Sequence, residues 1–206
     1  MGFGIAAAFA IADWYAVATR RTTLEYVCKP ATALAFLASA IVLDPTYTDT
    51  RAWFCVALAF CAAGDTFLML PRDAFVPGLS SFLVAQLCFT VGFALHIDDL
   101  TLLVIGVLVV TAIAVPLSSR FVRALRRDDL SALVPAVLAY VAAISAMAAT
   151  AIATGNAVAM AGAALFFCSD ALIAETRFVQ TRSWGPLAVI VTYHLALSAL
   201  VLSLVA

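Results

Sequence analysis

Charge is scarce in this 206-residue chain: Asp, Glu, Lys and Arg make up 11% of it, with a single lysine, Lys29, two glutamates and two histidines. The net charge is −1 and no basic stripe runs along any segment, so nothing marks a nucleic-acid partner. Polar linkers and low-complexity stretches are missing, which leaves no place to divide residues 1–206 into two domains. The five cysteines (Cys28, Cys55, Cys61, Cys88, Cys168) are odd in number, lack CxxC spacing and fall in or beside apolar runs. They read as buried thiols, not as a disulfide or zinc framework. Residues 1–19 lack the basic start of a signal peptide, and Asp13 interrupts their apolar core, so they read as a retained first helix. Position 6 is Ala6 where a myristoylation signal needs Ser or Thr, so no lipid anchor is implied.

What the chain has instead is apolar residues, 66% of the total, with a mean hydropathy of +1.12. A span needs about 17–25 predominantly apolar residues. Eight segments qualify, at about 2–19, 25–43, 52–70, 78–97, 100–117, 131–153, 157–175 and 184–205. The fold class is therefore all-α, a polytopic membrane protein of eight transmembrane helices whose backbone polar groups are satisfied within each helix. Ten of the eleven cations (Arg20, Arg21, Lys29, Arg72, Arg120, Arg123, Arg126, Arg127, Arg177, Arg182) fall at alternate connections and share one face, leaving only Arg51 opposite. The positive-inside rule assigns that face to the cytoplasm and puts both termini outside. Asp44, Asp49, Asp98 and Asp99 mark the other face. Arg120, Arg123, Arg126 and Arg127 read as a basic loop that sets topology.

Against this background two carboxylates stand out. Asp65 sits in Phe60-Cys61-Ala62-Ala63-Gly64-Asp65-Thr66-Phe67-Leu68, and Asp170 in Leu165-Phe166-Phe167-Cys168-Ser169-Asp170-Ala171-Leu172. An Asp at the centre of a span costs about 2.5–3.5 kcal/mol on insertion scales, so two of them call for a purpose. Each lies five residues before a span's inward end, or about 8 Å deep at 1.5 Å per residue. Asp13, on the first helix, reaches towards the same layer. The acids also recur: Pro30 precedes Asp65 by 35 positions and Pro135 precedes Asp170 by 35, and similar Leu-Ala-aromatic steps follow each proline. A four-plus-four internal repeat fits, because an offset of four helices preserves orientation.

Other polar residues fall where they can line the same layer. Lys29 lies at the start of the second span, as an anchor, a phosphate contact or a counter-ion to an Asp. Tyr140, Tyr193, His194 and Gln86 lie inside spans, where such groups bond between helices. His96 lies at the far end of the fourth span and does not join His194, so no converging metal-ligand set is expected. Ser169, Asp170 and His194 nominally offer a triad. Adjacent helical positions point about 100° apart, though, and no elbow motif surrounds the serine.

Taken together these residues resemble the YhhN-type lysoplasmalogenase family of eight-helix membrane proteins. The likeness covers nearly the whole length. It rests on Lys29-Pro30, Gly64-Asp65-Thr66-Phe67-Leu68-Met69-Leu70, Phe75, Gly78-Leu79, Phe82-Leu83, Tyr140, Phe166, Ser169-Asp170-Ala171-Leu172-Ile173-Ala174, Arg177-Phe178 and Thr192-Tyr193. The chain departs from the family pattern at Gln86, usually His, and at Leu197, usually Gln. The resemblance implies hydrolysis of the vinyl ether bond of a lysophospholipid, without a cofactor. Asp65 and Asp170 would serve as acid and base in either order, the tyrosines would face an oxocarbenium ion and Lys29 the phosphate. The competing expectation is a proton-coupled transporter, which also uses intramembrane carboxylates and repeats.

Overall fold

In the computed structural model, residues 2–70, 74–97 and 99–206 are described; Arg72 and Asp98, counted above, lie outside them. Eight helices follow one another: α1 (Gly2–Ala18), α2 (Thr22–Val42), α3 (Thr48–Met69), α4 (Phe75–Ala94), α5 (Leu100–Arg127), α6 (Val134–Ala153), α7 (Ala157–Ala174) and α8 (Gly185–Leu202). A 3₁₀ turn at Ser131–Leu133 leads into α6, and a π turn at Glu175–Val179 extends α7. Among the described residues there is no strand. Seven of the helices are long and apolar enough to cross a membrane, and α1, at 17 residues, is apolar and just shorter. This is an all-α polytopic membrane protein.

The connections cluster at two ends. One end joins the α2–α3, α4–α5 and α6–α7 connections to the end of α8: Thr46 N–H donates to the Leu204 carbonyl at 2.8 Å, His96 Nε2 lies 3.0 Å from Asp49 Oδ1, and Asn156 Nδ2 donates to the Ser203 carbonyl at 3.3 Å. Asp99 and Asn156 cap α5 and α7 there, each accepting two backbone N–H bonds. The other end carries the cations, with Arg120 bonded to Glu175 at 2.6 Å and the Arg177 guanidinium 4.1 Å from the centre of the Phe75 ring.

Helices pair as neighbours in sequence, α1 with α2, α3 with α4, α5 with α6 and α7 with α8, and α4 packs on α6 to join the halves. Small residues set how close the pairs come. A Cβ on Gly64 of α3 would meet the Phe82 ring of α4 at 2.6 Å, so glycine is what lets that ring reach the helix.

Three expectations change. Residues 120–127 are not a loop. They continue α5 for two turns, with Phe121, Ala124 and Leu125 buried at helical spacing and the arginines on the other side. Nor does Lys29 open α2. The helix starts at Thr22 and Pro30 lies inside it, so Lys29 stands seven residues, about 10 Å, from its start. Cys168 is exposed on the outer face of α7, whereas Cys28, Cys61 and Cys88 are buried as expected.

Candidate active site

The polar layer is built from helices of both halves. Asp65, at 1% exposure, comes from α3 beside Gly64, and the Tyr193 hydroxyl of α8 donates to its Oδ2 at 2.8 Å. Asp170 comes from α7, and the Tyr140 hydroxyl of α6 donates to its Oδ2 at 2.5 Å. Gln86 of α4, fully buried, reaches the Tyr140 oxygen with its Nε2 at 3.5 Å, a long contact, and its Oε1 has no partner. The acids repeat across the halves but their tyrosines do not. The offset of 105 positions that carries Asp65 onto Asp170 carries Ala35 onto Tyr140 and Cys88 onto Tyr193. The two acid–tyrosine pairs therefore sit in different surroundings.

Those surroundings differ most in access. A cavity of about 70 Å³ opens between α4, α5, α6 and α7, and of its described lining residues only Tyr140 and Asp170 carry polar side-chain atoms. Asp65, Tyr193, Lys29, Gln86 and His194 are not on its wall. Of the two repeated acids, Asp170 alone is on the wall of this cavity. Asp65 lies behind an aromatic partition, in which Phe82 and Phe166 meet the Tyr193 ring edge-on at 5.9 and 5.5 Å. Cys61, fully buried, lies within electrostatic reach of both carboxyls.

A third acid completes the layer. Asp13 of α1 is fully buried, neither of its oxygens has a hydrogen-bond partner, and its Oδ2 lies 3.8 Å from His194 Nε2. Trp14 Nε1 donates to His194 Nδ1 at 3.1 Å. Indole can only donate, so the imidazole hydrogen sits on Nε2, facing Asp13. Lys29 of α2 supplies a positive charge that acts on Asp13, Asp65 and His194. The role of Trp14 was not apparent from the sequence, and the only signal for it is its position next to Asp13 on an apolar helix.

Other groupings fall apart. Ser169 Oγ donates to the Val189 carbonyl at 3.1 Å, closing α7 onto α8, so Ser169 and His194 serve different helix contacts and make no triad. Among the described residues no three His, Cys, Asp or Glu side chains converge to hold a metal ion. His96 stacks on Tyr47 at 3.7 Å at the opposite end of the bundle.

The family model of YhhN matches residues 24–204. The chain belongs to the YhhN family. The match runs from the turn before Lys29 through Tyr193 and His194, so every acid–tyrosine partner above lies inside the YhhN region, while Asp13 and Trp14 precede it. No curated protein and no solved structure matches this YhhN chain.

Proposed function

We propose that this YhhN protein hydrolyses the vinyl ether bond of lysoplasmalogens, giving a fatty aldehyde and a glycerophospho-ethanolamine or -choline. The observation that carries the reading is a carboxyl group, Asp170, held by a tyrosine at the wall of an otherwise apolar cavity within the membrane-spanning bundle. Vinyl ether cleavage begins with a proton delivered to carbon, so it needs a neutral carboxylic acid facing apolar substrate. Asp170 is the donor in this reading. Its Oδ2 accepts from Tyr140, which leaves Oδ1 to carry the acidic proton.

The proton adds to the β-carbon of the vinyl ether, and the electron pair of the double bond forms the new C–H bond. The positive charge falls on the oxygen-bearing carbon and is shared with the ether oxygen. Tyr140 and the carboxylate left on Asp170 face that cation. Water adds to the charged carbon and returns a proton to Asp170. The hemiacetal then releases its glycerol oxygen as an alcohol and the chain as an aldehyde. Water alone balances the atoms. Asp65, with Tyr193 and Lys29, acts from behind the aromatic partition by setting the charge of the layer.

The arginine-rich end is placed in the cytoplasm and both ends of the chain outside, on the positive-inside bias. Reporter fusions at Ala206 check the placement, and one active only in the cytoplasm would overturn it. The reaction is tested by aldehyde release from a defined lysoplasmalogen by the purified protein. Proton-coupled uptake without aldehyde would favour the transporter.

A further inference from the structure

The cavity at Asp170 has a neighbour. A second apolar cavity, of about 180 Å³, is lined by Val109, Val110 and Ile113 of α5, Ala148 and Ile152 of α6, and by α7 from Met160 to Phe167. Phe167 lines both cavities. The two lie end to end between the same three helices, the first nearer the arginine-bearing end, the second further along towards Gly106 and open on its outer side, where Val109 and Ile113 are about half exposed.

The helices themselves explain the space. At Gly106 the α5 and α6 backbones nearly touch, since a Cβ there would meet the Ala149 carbonyl oxygen at 2.7 Å. From this crossing towards Arg127, α5 carries Pro116, whose ring removes a helical hydrogen bond and lets a helix bend. Along that length α5 rests on α6 and on the π turn and has little contact with α4. At the arginine-bearing end Phe75, Leu125, Val137 and Phe178 close the space again. A wedge is left, closed at both ends, with its thin side facing lipid between α4 and α5.

We propose that the two cavities form one track for a single unbranched hydrocarbon chain, running from Asp170 to the Gly106–Ala149 crossing, with Phe167 as its movable partition. The inference rests on the proposed reaction for the position of the reacting carbon, but its occupancy can be measured without it. From Tyr140 to Ala149 along α6 is 9 residues, about 14 Å, and from Asp170 to Met160 along α7 is 10 residues, about 15 Å. One leaflet of the hydrocarbon core, filled by one chain length, is about 15 Å, half of about 30 Å. The track beyond the acid therefore matches one lipid chain. Its lining there is apolar, and its polar end is the carboxyl group. The vinyl ether, at the head of the chain, then lies at Asp170, with the head group leaving sideways through the gap between α4 and α5. A two-chain lipid does not fit a track with one lane.

The test uses saturated 1-O-alkyl lysophospholipids, which lack the vinyl bond and are not cleaved, in a series of chain lengths. Their binding is measured on purified protein in detergent. Because a chain leaving detergent for an apolar track gains little from burial, fit is expected to show as a penalty for chains that overrun the track. Ala164→Phe and Val109→Trp each place bulk in the second cavity from positions open to the outside. Each is expected to weaken binding of the longest chains about tenfold or more while leaving the shortest within about twofold. Loss independent of length, no loss in either variant, no binding by the wild type, or equal competition by a two-chain phospholipid with the same head group would each overturn the track. Length-selective binding without aldehyde release from the vinyl ether lipid would keep the track and sink the reaction. Aldehyde release without length selectivity would do the reverse.

Discussion

Trp14 Nε1 lies 3.1 Å from His194 Nδ1, and that one bond fixes the imidazole hydrogen on the nitrogen that faces Asp13, 3.8 Å away. It ties α1, which precedes the matched family region, to α8 at its centre. Trp14→Phe keeps an aromatic ring against the imidazole and removes the donor, leaving a buried acceptor unpaired. The expected loss is on the order of 1–3 kcal/mol, read as a lower thermal midpoint in detergent. In a His194→Phe background the same substitution is expected to cost much less. Equal losses in the two backgrounds would show that the bond contributes nothing.

Access separates the two repeated acids, and substitution is expected to reveal it. Asp170→Asn keeps the shape at the cavity wall and removes the proton, so aldehyde release should fall about 10²- to 10⁴-fold with the thermal midpoint little changed. Asp65→Asn is expected to lose most activity too, by altering the charge beside Lys29. Tyr140→Phe strips a single hydroxyl from Asp170 and is expected to cost roughly tenfold to a hundredfold. Asp170→Asn working above about a tenth of the wild-type rate would contradict proton transfer from Asp170, and Asp65→Asn doing so would contradict its role in setting the charge of the layer.

At the end away from the cations, Asp99 accepts from Thr101 N–H at 2.7 Å and Leu102 N–H at 3.3 Å, and these bonds hold its carboxyl below the usual carboxylate range. A group whose folded pKa is lowered stabilises the fold above its unfolded pKa and loses that contribution as pH falls through the folded value. For Asp99 the window lies below about pH 4. Asp99→Asn still accepts the cap bonds but does not titrate. Between about pH 5 and about pH 3 the wild-type midpoint should therefore drop further than that of Asp99→Asn. Parallel curves would mean that the cap is not coupled to unfolding.

Long apolar runs made all eight helices legible, and an Asp inside such a run marked Asp65 and Asp170 without any structure. Helix ends were harder to place. The arginines from 120 to 127 resemble a loop by composition, yet Phe121, Ala124 and Leu125 recur at the spacing of a buried face, a signal that periodicity carries and charge hides. Lys29 reads as the start of the second span, but α2 begins seven residues earlier and holds Pro30 inside it, a position that membrane helices tolerate. Which tyrosine meets which acid was out of reach. Tyr193 and Asp65 are 128 positions apart, and their meeting depends on how α8 closes against α3. Asp13 could be placed in the layer by depth, but its facing of His194 follows from α1 packing on α8, which no local pattern encodes.

An isotopic test addresses the chemistry most directly. If the carboxylic acid of Asp170 gives its proton to the β-carbon of the vinyl ether, that proton has already exchanged with solvent and stays in the product. In heavy water, one deuterium should appear on the carbon next to the aldehyde, and the rate should fall because the transfer lies in the slow step. Aldehydes also exchange that position with solvent, so the product must be reduced as it forms. Attack by a Ser or Cys nucleophile on the phosphate or glycerol side would release the enol ether fragment intact and unlabelled, and a transporter would release no aldehyde. Promptly trapped product without deuterium at that carbon would overturn proton transfer from Asp170 even if aldehyde were formed, because no acid-first route to the oxocarbenium ion avoids placing a solvent-derived hydrogen there.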